Sequence, residues 1–501
     1  MKSYDRGVSR SYEEARHEGR IGVIDIGSNS IRLVVYDGIK RTPLPLFNEK
    51  ILCGLAKGLA ITGKLNPDGV KLAEECIKRF LTLVRIMDVV ELQILATAAI
   101  RDAQDGPAFV ENLERKYRIS ITVVSGKKEA SLAAYGVFSS IYKPEGLVGD
   151  LGGGSIELIA VEDGNINNQT TIPIGPLRLL DTSKGDKDKM AKIIAEHFDG
   201  ERWLERAHPQ NFYAVGGSFR ALAHIHMAEE KYPIDIVHNY SVKTTLMRKF
   251  LKEVINASPN ELLKMPGVPA KRAESLLPAA LVMDRILNIT EPVSVVFSSS
   301  GIREGYLYEK LSPYLRSEDP LIASCIDLAA QGGNSTAAAR ELFAWMLPLF
   351  KQESDASRRL RFAACILSEI AWSIHPDYRA EWAFYRVIES TIIGLTHGER
   401  VALALALYHR YQGKLKIKTG ALDLARGQDM GWAKIVGAAA NLAFQLSGGM
   451  AGNLEHVSLF LENDNPAIRF DAQVADLLSD SVQKRIDALG DSYHDYVKGM
   501  R

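Results

Sequence analysis

Two stretches of the chain decide its fold: Asp25–Leu33, with the sequence DIGSNSIRL, and Asp150–Leu158, with the sequence DLGGGSIEL. They share the frame Asp-x-Gly-x-x-Ser-Ile-x-Leu and begin 125 residues apart. Short apolar runs flank them, with Ile21–Ile24 before the first stretch and Leu158–Val161 at the end of the second. Runs of this length, interrupted by small residues, predict two strands joined by a tight turn. The chain therefore carries the same β-hairpin twice.

Small residues form both turns. We call them the first glycine turn (Gly27, Ser28, Asn29 and Ser30) and the second glycine turn (Gly152, Gly153, Gly154 and Ser155). Such residues let a ligand approach the backbone, and successive N–H groups can point at one anion, as a phosphate site requires. Asp25 and Asp150 open the two turns and would repel a bare phosphate, so they indicate a shared divalent metal or a positioned water. One glycine-rich hairpin is often purely structural, but a matched pair is much less frequent by chance.

Composition describes a globular protein of about three domains, with 501 residues of which 46% are hydrophobic. Lys and Arg total 61, as do Asp and Glu, so the chain lacks the net positive charge of non-specific nucleic-acid binders. We expect no specific nucleic-acid partner.

Cysteine spacing argues against a zinc ribbon or a disulfide framework, because no CxxC pair occurs among Cys53, Cys76, Cys325 and Cys365. This pattern suits a reducing cytoplasm. Residues 1–20 are polar and read as a loosely ordered arm, and no uninterrupted apolar run of about 18 residues follows. We therefore expect neither a targeting segment nor an integral membrane segment.

Other candidate residues lie where predicted strands meet predicted helices. Arg101 follows the strand Glu91–Ala96, and it suits either a phosphate at the helix start or an ion pair with Asp102 or Asp105. Glu129 follows the strand Ile119–Val124 and precedes the helix from Ala130 to Ser139, so it either caps that helix or accepts a proton from an attacking water.

Two further junctions also suit anions. A strand over Thr171–Arg178 would leave Arg178 facing either an anion or solvent. Small residues stand at two predicted helix starts, which are the usual places for an anion: Gly216, Gly217 and Ser218, and then Ser298–Gly301.

Six motifs in order resemble the exopolyphosphatase / guanosine pentaphosphate phosphohydrolase family, within the actin, sugar-kinase and Hsp70-like superfamily. They are DIGSNS at 25–30, TAAIRD at 97–102, SGKKEA at 125–130, DLGGGSIE at 150–157, GGSFRALA at 216–223 and SGIREG at 300–305. The resemblance covers roughly Ile21 to Leu311 and implies an α/β fold of two ribonuclease-H-like lobes, as in actin-like ATPases. We place lobe I at 21–137 and lobe II at 138–312.

The same resemblance implies roles for individual residues. Glu129 matches the catalytic base, while Asp150 and Glu157 match acids that hold a divalent metal, Mg²⁺ by preference, and position the water. Asp25 joins them as a metal ligand. The two glycine turns match phosphate loops, and Arg101 matches a partner of phosphate oxygens. Arg32 occupies the place in the first hairpin that Glu157 occupies in the second, so the first hairpin favours phosphate and the second favours metal and water.

The last region, 313–501, reads as an all-α domain similar to the metal-dependent HD phosphohydrolases, with few strand signals before Lys414–Ile417. Ser368 and Glu369 stand where that fold has its His-Asp pair, so we expect a degenerate site, with His375, His397 and His409 structural. This region extends the substrate channel or forms a dimer contact. Its basic residues either follow a long polyanion or face solvent; they are Arg358, Arg359, Arg361, Lys414, Lys416 and Lys418.

Three functions stay open on this reading. The first is release of orthophosphate from the end of inorganic polyphosphate, and the second is removal of the terminal phosphate of guanosine pentaphosphate. The third is an ATP-gated, actin-like binding module in which the helical region recruits a partner. The extra helical domain favours a long polymer, and we expect a homodimer because symmetric pairs are the commonest assembly.

Overall fold

The computed structural model describes residues 19–268, 273–332 and 335–500. The chain divides into two compact units, one ending at Ser317 and the other beginning at Glu318. The arm predicted for residues 1–20 lies outside the described residues, apart from Gly19 and Arg20. Of the helices within those ranges, none has the length and apolar character needed to cross a membrane.

Two sheets organise the first unit. Their strands are β1 (Arg20–Ile26), β2 (Ser30–Tyr36), β3 (Pro45–Leu52), β4 (Val89–Ala96), β5 (Thr122–Val123), β6 (Gly146–Leu151), β7 (Ile156–Glu162), β8 (Asn165–Ile172), β9 (Asn211–Val215), β10 (Ser241–Lys243) and β11 (Ser294–Phe297). The first sheet has the order β3-β2-β1-β4-β5, and the second has the order β8-β7-β6-β9-β11-β10.

Both sheets are built in the same way. Three antiparallel strands, β3-β2-β1 or β8-β7-β6, are followed by two parallel ones, β4-β5 or β9-β11. This is the ribonuclease-H-like arrangement, so the predicted α/β fold with two such lobes is confirmed. The repeated hairpins are β1-β2 and β6-β7, and in each sheet the first strand of the hairpin, β1 or β6, also pairs with a parallel strand.

Helices cover the sheets. In the first unit they are α1 (Leu59–Thr62), α2 (Pro67–Ile86), α3 (Ala98–Asp102), α4 (Gly106–Tyr117), α5 (Gly126–Ser140), α6 (Pro176–Ser183), α7 (Lys187–Phe198), α8 (Gly217–Glu229), α9 (Thr244–Asn256), α10 (Pro259–Leu262), α11 (Ala273–Thr290), α12 (Ile302–Lys310) and α13 (Pro313–Ser317). A short 3₁₀ helix spans Leu204–Arg206. Helix α2 begins at Pro67, because proline suits the first helical position.

The side chains of β1 alternate between two hydrophobic cores, one on each face of the sheet. Ile24 and Ile26 join the core that the first sheet makes with α2, while Ile21 and Val23 join the core on the opposite face, with α5 and α12. Successive side chains of a strand point to opposite faces, so this continuous apolar run fills two cores at once. The first sheet is therefore buried on both sides.

Helix α5 packs against both sheets. Leu132 belongs to the core with β1, and Ala133 belongs to the core with β6 and β7. The predicted boundary at 137/138 falls inside this helix. Helix α12 packs so closely against α5 that a Cβ on Gly305 would lie 1.8 Å from the Leu132 carbonyl oxygen, and one on Gly136 would lie 2.3 Å from that of Gly301. The two helices thus meet at backbone distance between the sheets.

Two predicted strands differ from the structure. The strand expected over Ile119–Val124 is reduced to Thr122–Val123, because the backbone N–H of Ile121 donates to the Glu114 side chain and not to a ladder partner. The strand expected over Thr171–Arg178 ends at Ile172, since Pro176 starts α6 and places Arg178 on that helix.

The second unit is helical apart from one hairpin. Its helices are α14 (Pro320–Ala330), α15 (Thr336–Trp345), α16 (Asp355–Ile366), α17 (Arg379–Glu389), α18 (His397–Tyr411), α19 (Gly427–Ser447) and α20 (Asp480–Met500), with 3₁₀ turns at Leu347–Phe350, Pro376–Tyr378, Gly420–Leu424, Leu454–His456 and Ala472–Leu477. The hairpin joins β12 (Val457–Glu462) to β13 (Asn465–Phe470) and was not predicted. The run Lys414–Ile417, which resembled a strand, has no regular structure.

Replacing Gly305 by alanine should destabilise the first unit. The added Cβ would collide with the Leu132 backbone, and a backbone in a helix pair cannot rotate aside as a side chain can. We expect the free energy of unfolding to fall by about 1–3 kcal/mol in a denaturant titration. Gly200→Ala is the matched control, because a Cβ there meets nothing within 4 Å. Equal midpoints for Gly305→Ala and wild type would contradict the close helix contact.

Candidate active site

The two hairpins place equivalent residues in equivalent positions. Asp25 pairs with Arg32 across β1 and β2, and Asp150 pairs with Glu157 across β6 and β7. In each turn, the N–H of the first glycine donates to the carbonyl oxygen of the closing serine at 3.0 Å. The resemblance seen in the sequence is thus a resemblance in backbone geometry, with an arginine in one lobe where the other has a glutamate.

The two glycine turns lie against each other. A Cβ on Gly153 would lie 2.9 Å from the Cβ of Ser28, and one on Gly154 would lie 3.3 Å from the Ser28 hydroxyl oxygen. Gly175 supports the second turn from behind, since its N–H donates to the Gly154 carbonyl at 3.1 Å. Residues 125 positions apart in the chain therefore form one continuous small-residue surface.

Glu129 lies in the first turn of α5, beside these turns. Ser125 caps the helix by accepting from the Lys128 N–H at 3.2 Å, and this start directs Glu129 inward, where it is only 4% exposed. Arg101 donates to Glu129 Oε2 at 2.7 Å and to the Val124 carbonyl at 3.1 Å. Among the described residues, Oε1 has no hydrogen-bond partner.

Burial raises the pKa of Glu129 to about 7, against the opposing effect of the Arg101 guanidinium and with a further increase from Asp150 and Asp25. A carboxyl in this range releases and takes up protons near neutral pH, which is what general base catalysis needs. Glu129 therefore combines a buried position with a pKa near neutrality.

Three more carboxyls share this buried region. Burial raises the pKa of Asp150 to about 6, and it raises the pKa of Asp25 and Glu157 as well. Glu157 is also affected by the charges of Glu129 and Asp150, and its Oε1 accepts from the Ser155 hydroxyl at 2.8 Å. The structure thus brings together Glu129, Asp150 and Glu157, as the motifs predicted, and sets Asp25 close enough to raise the pKa of Asp150.

Gly216 brings a third element to this region. Its φ of 100° lies in the region that favours glycine, and a Cβ there would lie 2.4 Å from the Leu151 carbonyl and 3.0 Å from Asp150 Oδ1. Gly217 and Ser218 follow as the first residues of α8. This helix therefore begins directly beside Asp150, as its small residues suggested.

Arg220, Arg303 and Glu304 also belong to the site, although they were not chosen from the sequence. Arg220 and Arg303 lower the pKa of Asp150, and Arg303 likewise lowers that of Asp25. Glu304 accepts from Tyr36 Oη at 2.8 Å and from the Gly301 N–H at 2.9 Å. The sequence did contain a sign of their importance, because Arg220 lies within the GGSFRALA motif, and Arg303 and Glu304 lie within the SGIREG motif.

Two predicted phosphate partners are engaged within the protein. Arg101 pairs with Glu129 and lies 3.5 Å from Asp102, whereas Asp105 accepts from the Leu65 N–H. Arg32 donates from Nε to Asn48 Oδ1 at 2.8 Å. The role of either arginine toward phosphate stays a prediction.

Helix α6 ties the two lobes together on one side of the site. Arg178 donates from Nε to the Gly154 carbonyl at 3.1 Å and forms an ion pair with Asp102 of lobe I. Asp181 accepts from the Gly58 N–H at 2.9 Å. Arg178 therefore joins the second glycine turn to lobe I with its side chain 27% exposed, and a role toward an anion stays a prediction.

A divalent metal fits this region through two carboxylates. Within residues 19–268, 273–332 and 335–500, no group of three or more His, Cys, Asp or Glu side chains is placed to hold a metal ion. Asp25, Asp150 and Glu157 thus do not form one three-ligand set. The charge of Asp25 raises the pKa of Asp150, and burial disfavours the ionised form of both side chains. Mg²⁺ commonly takes one or two carboxylates and completes its shell with water and substrate phosphate, so this pair fits it.

Comparison with known proteins identifies the family. A model of the Ppx/GppA phosphatase family matches residues 34–313, more than half of the chain. The chain belongs to this family. A second model, the exopolyphosphatase C-terminal region, matches residues 321–494. The two models thus match different compact units, the first up to residue 313 and the second from residue 321.

Relatives within the Ppx/GppA family carry two different names. Guanosine-5'-triphosphate,3'-diphosphate pyrophosphatase of Aeromonas salmonicida is 22% identical over 414 residues, covering 79% of this chain and 81% of the relative. Exopolyphosphatase 1 of Mycobacterium bovis is 25% identical over 308 residues, covering 58% of this chain and 88% of the relative.

Solved Ppx/GppA structures share the first unit's fold. The family member from Aquifex aeolicus is 26% identical with a TM-score of 0.50, and the match covers 59% of this chain and 99% of that structure. The exopolyphosphatase from Cytophaga hutchinsonii is 24% identical with a TM-score of 0.53, and the match covers 58% of this chain and 96% of that structure. This likeness shows the fold alone.

In the second unit, Glu369, one of the two residues compared with a His-Asp pair, forms an ion pair with Arg410. Arg410 donates to Glu369 Oε1 at 2.8 Å, and its guanidinium lies 4.4 Å from the centre of the Phe444 ring. Among the histidines, His409 is buried, and burial lowers its pKa, whereas His375 is exposed. A fixed arginine thus supplies the positive charge beside Glu369.

Some basic residues of this unit are structural. Arg361 is fully buried, pairs with Glu353 and lies 3.9 Å from the centre of the Phe343 ring, and Arg359 pairs with Asp319. Neither is available to follow a polyanion. Three other predicted basic residues are exposed and lie on the irregular run after α18, namely Lys414, Lys416 and Lys418.

The raised pKa values of Glu129 and Asp150 predict how stability depends on pH. Both pKa values exceed the ordinary ones of 4.5 and 3.8, so between about pH 4 and pH 7 these two carboxyls hold more protons in the folded protein than in the unfolded chain. Their contribution to the free energy of unfolding of the ligand-free protein should therefore fall as pH rises through this range. Denaturant titrations at several pH values would measure the slope.

Glu129→Gln should make that slope shallower, because it removes one of the groups that lose a proton. Glu111→Gln on the exposed face of α4 should leave the slope unchanged. An identical slope for Glu129→Gln and wild type would show that Glu129 has an ordinary pKa in the folded protein.

Proposed function

We propose that this protein is an exopolyphosphatase, which hydrolyses the terminal phosphoanhydride bond of inorganic polyphosphate and releases orthophosphate. The observation that carries the proposal is the contact between two phosphate-type turns from separate lobes, with the buried carboxyl of Glu129 beside them. Such turns suit the oxygens of linked phosphates, and an adjacent base suits attack by water. Membership of a phosphatase family supports hydrolysis as the reaction.

In the proposed reaction, the glycine turns hold the terminal phosphates through backbone N–H groups and the hydroxyls of Ser28 and Ser155. Glu129 Oε1 accepts a proton as a water oxygen bonds to the terminal phosphorus. The bridging P–O bond breaks, and the shortened chain leaves with the bonding electrons. Arg101 keeps Glu129 oriented through Oε2, and phosphoryl transfer depends largely on such positioning.

Asp25 and Asp150 are the residues that would hold a divalent metal, Mg²⁺ by the preference of carboxylate oxygens, with Glu157 nearby. The metal would neutralise negative charge on the phosphate oxygens. Without the metal, Arg303 stabilises the ionised form of both aspartates, and Arg220 stabilises that of Asp150. Glu157 is best regarded as orienting Ser155 and the water, since its Oε1 accepts from that serine.

A second candidate is removal of the terminal phosphate of guanosine pentaphosphate. It is favoured by the Aeromonas salmonicida relative, which aligns with 79% of this chain. The match of residues 321–494 to an exopolyphosphatase C-terminal model favours the polymer. The reacting bond is a terminal phosphoanhydride in both cases, so the same catalytic residues serve either substrate, and measured turnover must choose between them.

Glu129→Gln should lower orthophosphate release at least 100-fold while leaving polyphosphate binding nearly unchanged. The amide keeps the size of the side chain but accepts no proton, and positioned general bases commonly contribute this much. Phosphate release would be followed by a colorimetric assay and binding by titration with long-chain polyphosphate. Glu111→Gln is the control. Wild-type turnover in Glu129→Gln would remove Glu129 as the base.

Substrate choice is tested by measuring orthophosphate release on long-chain polyphosphate, guanosine pentaphosphate and ATP under identical conditions. We expect the highest kcat/KM on polyphosphate. A higher value on guanosine pentaphosphate would select the second candidate. Turnover of ATP alone would instead support the nucleotide-gated binding module.

A further inference from the structure

The second glycine turn is held from behind by α6. The Leu177 N–H donates to the Gly153 carbonyl at 2.9 Å, and the Gly154 carbonyl accepts from the Gly175 N–H at 3.1 Å. The Gly154 carbonyl also accepts from Arg178 Nε at 3.1 Å. The start of α6 lies at backbone distance from the turn, since a Cβ on Gly175 would lie 2.4 Å from the Gly153 carbonyl carbon. Two successive carbonyl groups of the turn therefore point toward α6.

These carbonyl contacts also direct two N–H groups of the turn. The carbonyl of one residue and the N–H of the next belong to one planar trans peptide and point in opposite directions. The N–H groups of Gly154 and Ser155 therefore point away from α6. Among the residues that the structure describes, neither N–H donates to another backbone group. Successive N–H groups of this kind suit an anion. Arg178 thus helps to orient the part of the turn that would contact a phosphate.

Arg178 also continues from the turn into lobe I. Its Nη2 donates to Asp102 Oδ2, and Asp102 Oδ1 lies 3.5 Å from Arg101 Nε. Arg101 in turn donates to Glu129 Oε2 at 2.7 Å. The Asp102 carboxylate thus lies between two arginines, with one oxygen toward each. Arg178, Asp102 and Arg101 form what we call the arginine bridge. It connects the Gly154 carbonyl to the carboxyl of Glu129.

The arginine bridge becomes less exposed toward its inner end. The side chains of Asp102 and Arg178 are 32% and 27% exposed, whereas that of Glu129 is 5% exposed. Isolated exposed ion pairs contribute little, but several charges in a network hold a geometry better. The planar fork of Arg178 adds direction, because two of its N–H groups serve two different acceptors, the Gly154 carbonyl and Asp102. The arginine bridge is therefore suited to fix positions.

We propose that Arg178 and Asp102 are positioning residues that fix Glu129 relative to the second glycine turn. They thereby fix the attacking water relative to the terminal phosphate. This inference rests on the proposed function, because it takes Glu129 as the base. The turn belongs to lobe II and Glu129 to lobe I, so each lobe supplies one half of the reacting geometry. A displacement of about 1 Å can lower the rate about 100-fold. Arg178 lies outside the six sequence motifs.

The first test compares single variants of the full-length protein on the substrate with the highest kcat/KM. Arg178→Ala and Asp102→Asn should each lower kcat by about tenfold and change KM by less than about twofold, because the glycine turns still bind phosphate. The amide of Asp102→Asn has one oxygen and cannot accept from both arginines. Arg178→Lys should be nearly as slow as Arg178→Ala, because an ammonium lacks the planar fork. Arg206→Ala is the matched control, an exposed arginine of the same lobe.

Two further measurements separate positioning from loss of folded protein. Guanidinium ions at millimolar concentration should raise the kcat of Arg178→Ala, because a small planar cation can enter the space between the Gly154 carbonyl and Asp102. They should not raise that of Asp102→Asn. The double variant should be about as slow as either single variant, since both substitutions break the same bridge. If Arg178→Ala does not fold, Arg178→Lys takes its place in this cycle.

A double variant about 100-fold slower than wild type would overturn the proposal, because the effects of independent residues multiply. Wild-type kcat in either single variant would overturn it as well. If wild type releases no orthophosphate from polyphosphate, guanosine pentaphosphate or ATP, the proposed function itself has failed. The arginine bridge is then judged by the coupling between the two substitutions in the free energy of unfolding, and additive effects would show that the bridge does not exist.

Discussion

The contact between α5 and α12 at backbone distance is the constraint on which the rest of the site depends. Gly136 and Gly305 allow it, because neither position has room for a Cβ. Glu129 lies in the first turn of α5, and Arg303 and Glu304 lie in the first turn of α12, so the crossing of these helices sets where all three side chains enter the site. Since α5 packs on both sheets, the same contact also relates the two hairpins to each other.

Once the hairpins are held together, burial governs the chemistry. The carboxyls of Asp25, Glu129, Asp150 and Glu157 all have raised pKa values because water is excluded and because they repel one another. Such an arrangement is unfavourable in the free protein; in the proposed reaction, a bound cation would supply the opposite charge and the attacking water the proton to accept. Stability is thereby given up in the free protein for a preorganised site.

The segment Cys53–Gly58 links the first glycine turn to lobe II. The N–H groups of Cys53 and Gly54 donate to the Asn29 carbonyl, and the Gly58 N–H donates to Asp181. Backbone N–H donors carry no signature in residue type, so this link leaves no sign in the sequence.

The sequence by itself determined the local units: the duplicated hairpin, the small residues of both turns and the position of Glu129 in the first turn of α5. These depend on short-range rules of periodicity, turn chemistry and helix capping, which are legible in consecutive residues. Only the tertiary structure decided the partners. The pairing of Arg101 with Glu129, the bridge that Arg178 makes to lobe I, and the burial of Arg361 each join residues distant in the chain. A charged residue carries no local sign of whether it will face solvent, substrate or another side chain, because that choice depends on which surfaces the packed lobes exclude from water.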